Sequence, residues 1–249
     1  MHTRWLMLVV ATLVVTSACG GDDSEAESSR STTTVHATTT AKVTTTKAID
    51  VPDASRDQAR AKGLVLTEDD LPTGWTVAPP TPDDPSTTSD DELALCTGAP
   101  DPRTVESASV DGATFNMGGG TKVTSSARFV RTADDAQADR TALQSDRLLP
   151  CAERALTEAL ETEFAGQEVV VEDVAVSSLE VPRVGEETVA FRGEVTLSVE
   201  GDIASFVADV VLIFDGRAEL SIEFFSPDEP FDPALEGQLI KRVGDKLAA

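Results

Sequence analysis

Alternation of apolar and polar residues predicts that the second half of the chain is a run of β-strands. Residues 188–199 place apolar or small side chains at every second position, and residues 205–214 are apolar on both faces apart from Asp209. These patterns are typical of a half-buried strand followed by a central one. Asp215-Gly216 then predicts a two-residue hairpin turn. We expect four strands here, at residues 168–179, 188–199, 205–214 and 217–225.

An earlier hairpin and three helices complete the predicted domain. Alternating residues at 111–118 and 121–131 flank a triple-glycine turn and predict two more strands. Helix starts are expected where capping residues and prolines precede apolar stripes, at Thr132, near Pro150 and at Asp232. The hairpin connections predict an antiparallel sheet. The expected fold is therefore α+β, with about six strands in the order ββααββββα and the helices packed on one face.

The first 18 residues have the pattern of a lipoprotein signal peptide. Arg4 precedes an apolar run at Trp5–Val15, and the small residues Ser17 and Ala18 precede Cys19. The run is too short to span a membrane, which takes about 20 residues. We expect Cys19 to receive diacylglyceryl and palmitate chains that anchor the protein on the outer face of the cell membrane. An ordinary cleaved signal peptide and an uncleaved anchor are the alternatives.

A Ser- and Thr-rich tract separates this anchor from the rest of the chain. Residues 19–53 contain almost nothing apolar to bury, so burial cannot offset the entropy that ordering them would cost. We expect them to form a disordered tether. Residues 54–249 then form a single acidic extracytoplasmic domain, which we expect to be monomeric.

Negative charge is concentrated in this predicted domain. The chain has a formal net charge of −24, and residues 63–249 hold 13 Lys and Arg against 37 Asp and Glu. Nucleic acid is not an expected partner, because binding it relies on basic residues that neutralise phosphates. His2 and His36 lie outside the domain, so catalysis by a histidine base and histidine-based metal sites are not expected. We predict no catalytic residue, metal or cofactor.

The cysteine count favours a disulfide in the domain. If Cys19 carries lipid, only Cys96 and Cys151 remain. An exported protein meets an oxidising compartment, where such a pair usually forms a disulfide, and two free thiols are the alternative.

Three other features have a structural and a functional interpretation. Trp75 follows a Pro-Gly turn and either covers the edge of the core or lines a ligand groove. Asp209 is the acid of a largely apolar strand, and we expect a buried ion pair with Arg192 or Arg217 rather than a catalytic role. Residues 79–92 are predicted to be a solvated acidic loop, because their spacing does not match an EF-hand.

Several short motifs resemble those of actinobacterial cell-envelope lipoproteins, over about residues 63–247. The motifs are Leu71-Pro72-x-Gly74-Trp75, the pair Cys96 and Cys151, Gly216-Arg217-Ala218, and Pro230-Phe231-Asp232-Pro233-Ala234-Leu235-Glu236. More distantly, the domain is similar to the extracellular sensor domain of mycobacterial serine/threonine kinases. That resemblance implies a helix-backed antiparallel sheet with a groove that accepts a ligand. The sensor family has two disulfides, whereas this domain has cysteines for one.

Three functions are compatible with these features. The first is a membrane-anchored, non-catalytic domain that binds or senses a lipid or small-molecule ligand. The second is a structural module of the envelope that contacts another envelope protein. The third is a hydrolase that uses carboxylates alone, as glycosidases do. An apolar cavity would favour the first, an exposed apolar patch the second, and two separated carboxyl groups in a cleft the third.

Overall fold

The computed structural model describes residues 53–79 and 86–249, without the side chains of residues 86–91. The predicted signal peptide, Cys19, and the predicted tether up to residue 52 lie outside the described residues. Within the described ranges, no helix is both long enough and apolar enough to cross a membrane.

Six helices lie in the described part of the chain. They are α1 (Ala54–Leu64), α2 (Ser86–Thr97), α3 (Pro102–Val105), α4 (Ala133–Leu143), α5 (Leu148–Glu163) and α6 (Pro233–Ala248). The starts predicted at Thr132 and Asp232 are supported by side-chain caps. Thr132 and Asp135 form a reciprocal capping box at α4, and Asp232 accepts a hydrogen bond from the backbone N–H of Ala234 at α6.

The described strands form one antiparallel sheet. They are β1 (Thr76–Ala78), β2 (Glu106–Asp111), β3 (Thr114–Asn116), β4 (Lys122–Val130), β5 (Val169–Ser178), β6 (Glu187–Val199), β7 (Asp202–Asp215) and β8 (Ala218–Pro227). Their order across the sheet is β1-β3-β4-β8-β7-β6-β5. β2 also pairs with β4, further along that strand than β3 does. The α+β class and the antiparallel sheet are therefore confirmed.

The sheet has eight strands rather than about six because β1 was not predicted and because β2 and β3 stand where the hairpin pattern predicted one strand. β2 and β3 both pair with the same edge of β4, and Gly112 lies between them. The Gly112 N–H donates to the carbonyl oxygen of Ser125 at 2.8 Å, and a Cβ at Gly112 would lie 2.8 Å from that oxygen. The chain bends at this close approach. A second difference is that α2 begins at Ser86, inside the segment predicted as a loop.

The helices cover both faces of the sheet, so the expectation that they pack on one face is wrong. Successive residues of β7 point to opposite faces. Val211 and Ile213 pack with residues of α1 and α6, and we name this the α6 face. Val210 and Leu212 pack with residues of α2, α4 and α5, and we name this the α5 face. Both sides of β7 are apolar, so its alternation could not show how the helices divide between them.

The loop between β5 and β6, residues 179–186, lies directly against α6. A Cβ at Gly244 would lie 2.8 Å from Val184 Cγ1 and 2.9 Å from Val184 Cβ. A Cβ at Gly237 would meet Pro182 Cγ at 3.6 Å, which is an ordinary contact. The loop therefore approaches α6 closely enough at one position that only glycine fits without a shift.

These two glycines give a matched test of that contact. Gly244→Ala is expected to lower the free energy of unfolding by about 1–3 kcal/mol, because the new methyl group overpacks against Val184. Gly237→Ala should instead raise it by up to about 1 kcal/mol, since alanine favours the helix and no clash opposes it. Urea denaturation of both variants measures the difference. Equal effects would contradict the close packing at Val184.

Candidate functional site

A cleft of about 540 Å³ lies between the α5 face of the sheet and the helices α2, α4 and α5. This volume is within the range of about 300–1,000 Å³ that is usual for small-molecule sites. Apolar side chains of the helices form its roof: Leu93, Ala94, Leu143, Ala152, Ala155 and Leu156.

The floor of the cleft changes character across the sheet. Residues of β5, β6 and β7 make one half apolar, namely Val176, Phe191, Val210, Leu212 and Phe214. Residues of β4 and β8 make the other half polar, namely Thr124, Ser126, Arg128, Glu219, Ser221 and Glu223. The boundary runs between β7 and β8, which are hydrogen-bonded neighbours. A ligand that spans the cleft therefore meets an apolar surface at one end and a polar one at the other.

Close approach of α5 to the sheet depends on a glycine in the apolar half. Gly193 of β6 faces α5, and a Cβ there would lie 3.1 Å from Leu156 Cδ2. A larger residue would require the Leu156 side chain to shift.

One arginine and two acids form the centre of the polar half. Arg128 and Glu219 are cross-strand neighbours in the β4–β8 ladder, and Arg128 Nε donates to Glu219 Oε2 at 2.6 Å. Arg128 Nη2 donates to Asp139 Oδ2 of α4 at 3.1 Å. Both acids are deeply buried, with 5% of Glu219 and 1% of Asp139 exposed. A single guanidinium therefore bridges two buried carboxyl groups.

The two carboxyl groups also interact with each other. Burial raises the pKa of Glu219 to about 7, and the charge of Asp139 adds to the rise, while Arg128 opposes it. Burial likewise raises the pKa of Asp139. Because both carboxyl groups bind the same guanidinium, the charge of Asp139 disfavours ionisation of Glu219. Near neutral pH Glu219 therefore retains a proton that an exposed glutamate would have lost.

Cys96 and Cys151 are joined by a disulfide, with their Cα atoms 5.7 Å apart. The bond ties α2 to the first turn of α5. Both helices contribute to the roof of the cleft. The pair predicted from the cysteine count thus holds two walls of the site together.

Asp209 forms its ion pair with Arg192, which is its direct neighbour across β6 and β7. Arg192 Nε and Nη2 donate to Asp209 Oδ1 and Oδ2 at 2.6 and 2.7 Å, and Asp209 is fully buried. Glu236 of α6 lies near this pair, and burial, followed by the charge of Asp209, raises the pKa of Glu236 to about 7. This cluster lies on the α6 face, opposite the cleft.

Arg217, the other partner considered for Asp209, pairs elsewhere. Its two terminal nitrogens donate to Asp57 Oδ2 and Oδ1 of α1, both at 3.0 Å, and Nη1 also donates to the Val130 carbonyl oxygen at 2.7 Å. Ser107 donates a further hydrogen bond to Asp57. The structure thus brings Asp209 and Arg192 together, and it separates Arg217 from them.

Trp75 is not among the residues that line the cleft. It packs against the core of the α6 face, with its ring centroid 6.1 Å from that of Phe231. Its indole nitrogen is buried and has no hydrogen-bond partner in the described part of the chain. Of the two interpretations of Trp75, the structure favours the edge of the core.

The sequence interpretation missed Arg128, Asp139 and Glu219. Glu219 alternates with apolar residues of β8, which is the pattern of a solvated face. Asp139 offers a weak signal, because it lies three residues after the buried Ala136 on α4 and therefore on the inner side of that helix. Nothing in the local pattern links it to β4 or β8.

Neither a protein-family model nor a curated protein matches the chain. Among solved structures, it is similar to the extracellular domain of PknH from Mycobacterium tuberculosis, with a TM-score of 0.39, 10% identity, and coverage of 77% of this chain and 96% of that one. It is also similar to LpqN, involved in cell envelope biogenesis of the same organism. This match has a TM-score of 0.29 and 12% identity, and it covers 71% of this chain and 78% of the LpqN chain. Both of these neighbours are mycobacterial.

Proposed function

We propose that this protein is a lipoprotein, anchored through Cys19 on the outer face of the cell membrane, whose domain binds a small ligand with a large apolar part. The observation that carries the proposal is the cleft on the α5 face, with its apolar roof and half-apolar floor. Burial of apolar surface in such a cleft contributes roughly 25 cal/mol per Å² to binding. The lipid anchor and the disordered tether are supported by the sequence pattern of residues 1–53.

The geometry of the polar half supports binding rather than hydrolysis. Glycosidases hold their two carboxyl groups about 5–9.5 Å apart, so that the scissile bond or a water molecule fits between them. Asp139 and Glu219 are instead both bound by one guanidinium, that of Arg128. We therefore place this protein among binding modules and propose no catalytic step.

Binding of a neutral apolar fluorophore, N-phenyl-1-naphthylamine, tests the proposal. We expect saturable binding at one site of residues 19–249 carrying Cys19→Ser, a form that needs no competing detergent. Ala208→Leu adds bulk to the cleft floor and should weaken binding by roughly tenfold, about 1.4 kcal/mol.

Ala204→Leu is the matched control for that experiment. Ala204 lies on the same strand and the same face as Ala208, and it does not line the cleft. It should leave the affinity unchanged. Unsaturable binding by the parent chain, or equal effects of the two variants, would contradict a ligand site in the cleft.

A further inference from the structure

The polar half of the cleft carries an excess of negative charge, and two of its four carboxyl groups, those of Asp139 and Glu219, are buried. Its lining contains the carboxyl groups of Asp111, Asp139, Glu219 and Glu223, against the single guanidinium of Arg128. Both Asp139 and Glu219 already bind that guanidinium. The charge of Arg128 is therefore shared between two acids, and the cleft as a whole remains anionic.

One oxygen of this group has no donor. Glu219 Oε2 accepts from Arg128, whereas Glu219 Oε1 is buried and accepts a hydrogen bond from no donor in the described ranges. A buried acceptor without a donor is unfavourable, and native structures contain few of them. Glu219 lines the cleft, so a ligand there can bring a donor to this carboxyl group.

We infer that the ligand of this cleft is a cationic amphiphile, whose ammonium group binds Glu219 and Asp139 while its apolar part covers β6 and β7. The inference rests on the proposed function, because it assigns the chemical class of the ligand in that same cleft. An ammonium group carries three N–H donors and one positive charge. It satisfies Glu219 Oε1, adds a second cation beside Arg128, and leaves each carboxylate with a partner.

An anionic or neutral head group fits this end less well. A carboxylate or phosphate would lie beside four acids and would be repelled by them. A hydroxyl group would supply one donor but no charge. Hydrogen bonds to ionised groups are roughly twice as strong as those between neutral groups. The cleft should therefore rank head groups as ammonium, then hydroxyl, then carboxylate.

A proton on Glu219 competes with the ligand cation for the carboxyl pair. The charged groups that line the cleft with Glu219 are Arg128 of β4, Asp139 of α4, Glu223 of β8 and Asp111 of β2, and Asp135 of α4 lies near Asp139. Burial, followed by the charge of Asp139, raises the pKa of Glu219 to about 7 against the opposing charge of Arg128. Below that pH an ammonium ligand must displace the proton on Glu219. Its affinity is expected to rise with pH through neutrality and then level off.

Three probes with the same octyl chain test the inference on residues 19–249 with Cys19→Ser, by displacement of N-phenyl-1-naphthylamine. We expect octylammonium to bind at least about tenfold more tightly than octanol at physiological salt, and octanoate to bind most weakly. Glu219→Gln should remove most of that preference and leave octanol within about twofold of its parent affinity. It should also flatten the rise in octylammonium affinity between about pH 6 and pH 8.

Glu172→Gln is the matched control, because it removes the same charge from an exposed position on β5 outside the cleft lining. It should keep the full preference for octylammonium, which separates a local contact from attraction by the net charge. If Glu219→Gln does not fold, Asp139→Asn takes its place. The comparison of the three probes on the parent chain tests the head-group preference without any variant.

The outcomes distinguish the two proposals. Equal affinity for the three probes would overturn the cationic head group and leave the apolar ligand site standing. A preference for octylammonium that survives both Glu219→Gln and Asp139→Asn would overturn its assignment to this carboxyl pair. Failure of all three probes to displace the fluorophore, or of the fluorophore itself to bind, would overturn the proposed function and this inference with it.

Discussion

Replacing Arg217 by Met is expected to lower the free energy of unfolding by about 3–5 kcal/mol, because it leaves a buried carboxylate without its cation. Asp57 is fully buried, and both of its oxygens accept hydrogen bonds from Arg217. The pair joins α1 to the start of β8, so its loss also weakens the attachment of that helix. Guanidinium denaturation of the parent and the variant measures the change.

Arg103→Met is the matched control for Arg217→Met. Arg103 pairs with Asp101, but 73% of the Arg103 side chain and 46% of the Asp101 side chain are exposed. Exposed pairs contribute about 0–1 kcal/mol, so this variant should change little. Similar losses in the two variants would show that burial of Asp57 is not the cause.

The pH dependence adds a second readout for Arg217→Met. Burial raises the pKa of Asp57, but the hydrogen bonds from Arg217 and Ser107 outweigh it and hold the pKa below 3.8. Because the pKa of Asp57 is lower in the folded protein than in the unfolded chain, the ion pair stabilises the fold at pH values above the ordinary pKa of an aspartate. This stabilisation is lost as the pH falls through the lowered pKa. The difference in the free energy of unfolding between the parent and Arg217→Met should therefore become smaller as the pH is lowered.

Removing the disulfide by Cys96→Ala and Cys151→Ala together is expected to destabilise the domain by about 4 kcal/mol in the chain-entropy model. The bond closes a loop between residues separated by 55 positions. Alanine favours the helix at both positions, which lie in α2 and α5, so the substitution itself should not disrupt them. Thermal melting measures the midpoint of unfolding of the oxidised parent, the reduced parent and the double variant.

The reduced parent is the internal control of that experiment. It should melt with the double variant and well below the oxidised parent, since the same covalent link is absent from both. Equal stability of all three forms would contradict a stabilising role for the bond. Because α2 and α5 both line the cleft, the affinity for N-phenyl-1-naphthylamine should also fall when the bond is absent.

Much of the local structure was predictable from short-range patterns. The long strands β5 to β8 agree with the predicted ranges to within a few residues, and the capped helix starts at Thr132 and Asp232 were expected. Caps, turns and alternation depend on neighbours within a few positions, so the sequence displays them directly. The shorter elements β1 and α3 lack enough residues to show a pattern.

The site was much less predictable. Asp209 and Arg192 were correctly considered together, because a single acid in an apolar strand demands a nearby cation. Arg217 was wrongly considered for the same acid, since its partner Asp57 is 160 residues away in the chain. Glu219 and Asp139 carry no local sign that they will share a guanidinium.

The sequence by itself therefore determined the long strands, the capped helix starts, the antiparallel class, the acidity of the domain and the cysteines available to pair. Only the tertiary structure decided that helices cover both faces of the sheet and that a cleft opens beneath α2, α4 and α5. It also decided that Arg128, Asp139 and Glu219 meet at the polar end of that cleft. The physical reason is that periodicity tells which side of an element is buried, whereas the layer that buries it depends on contacts between distant parts of the chain.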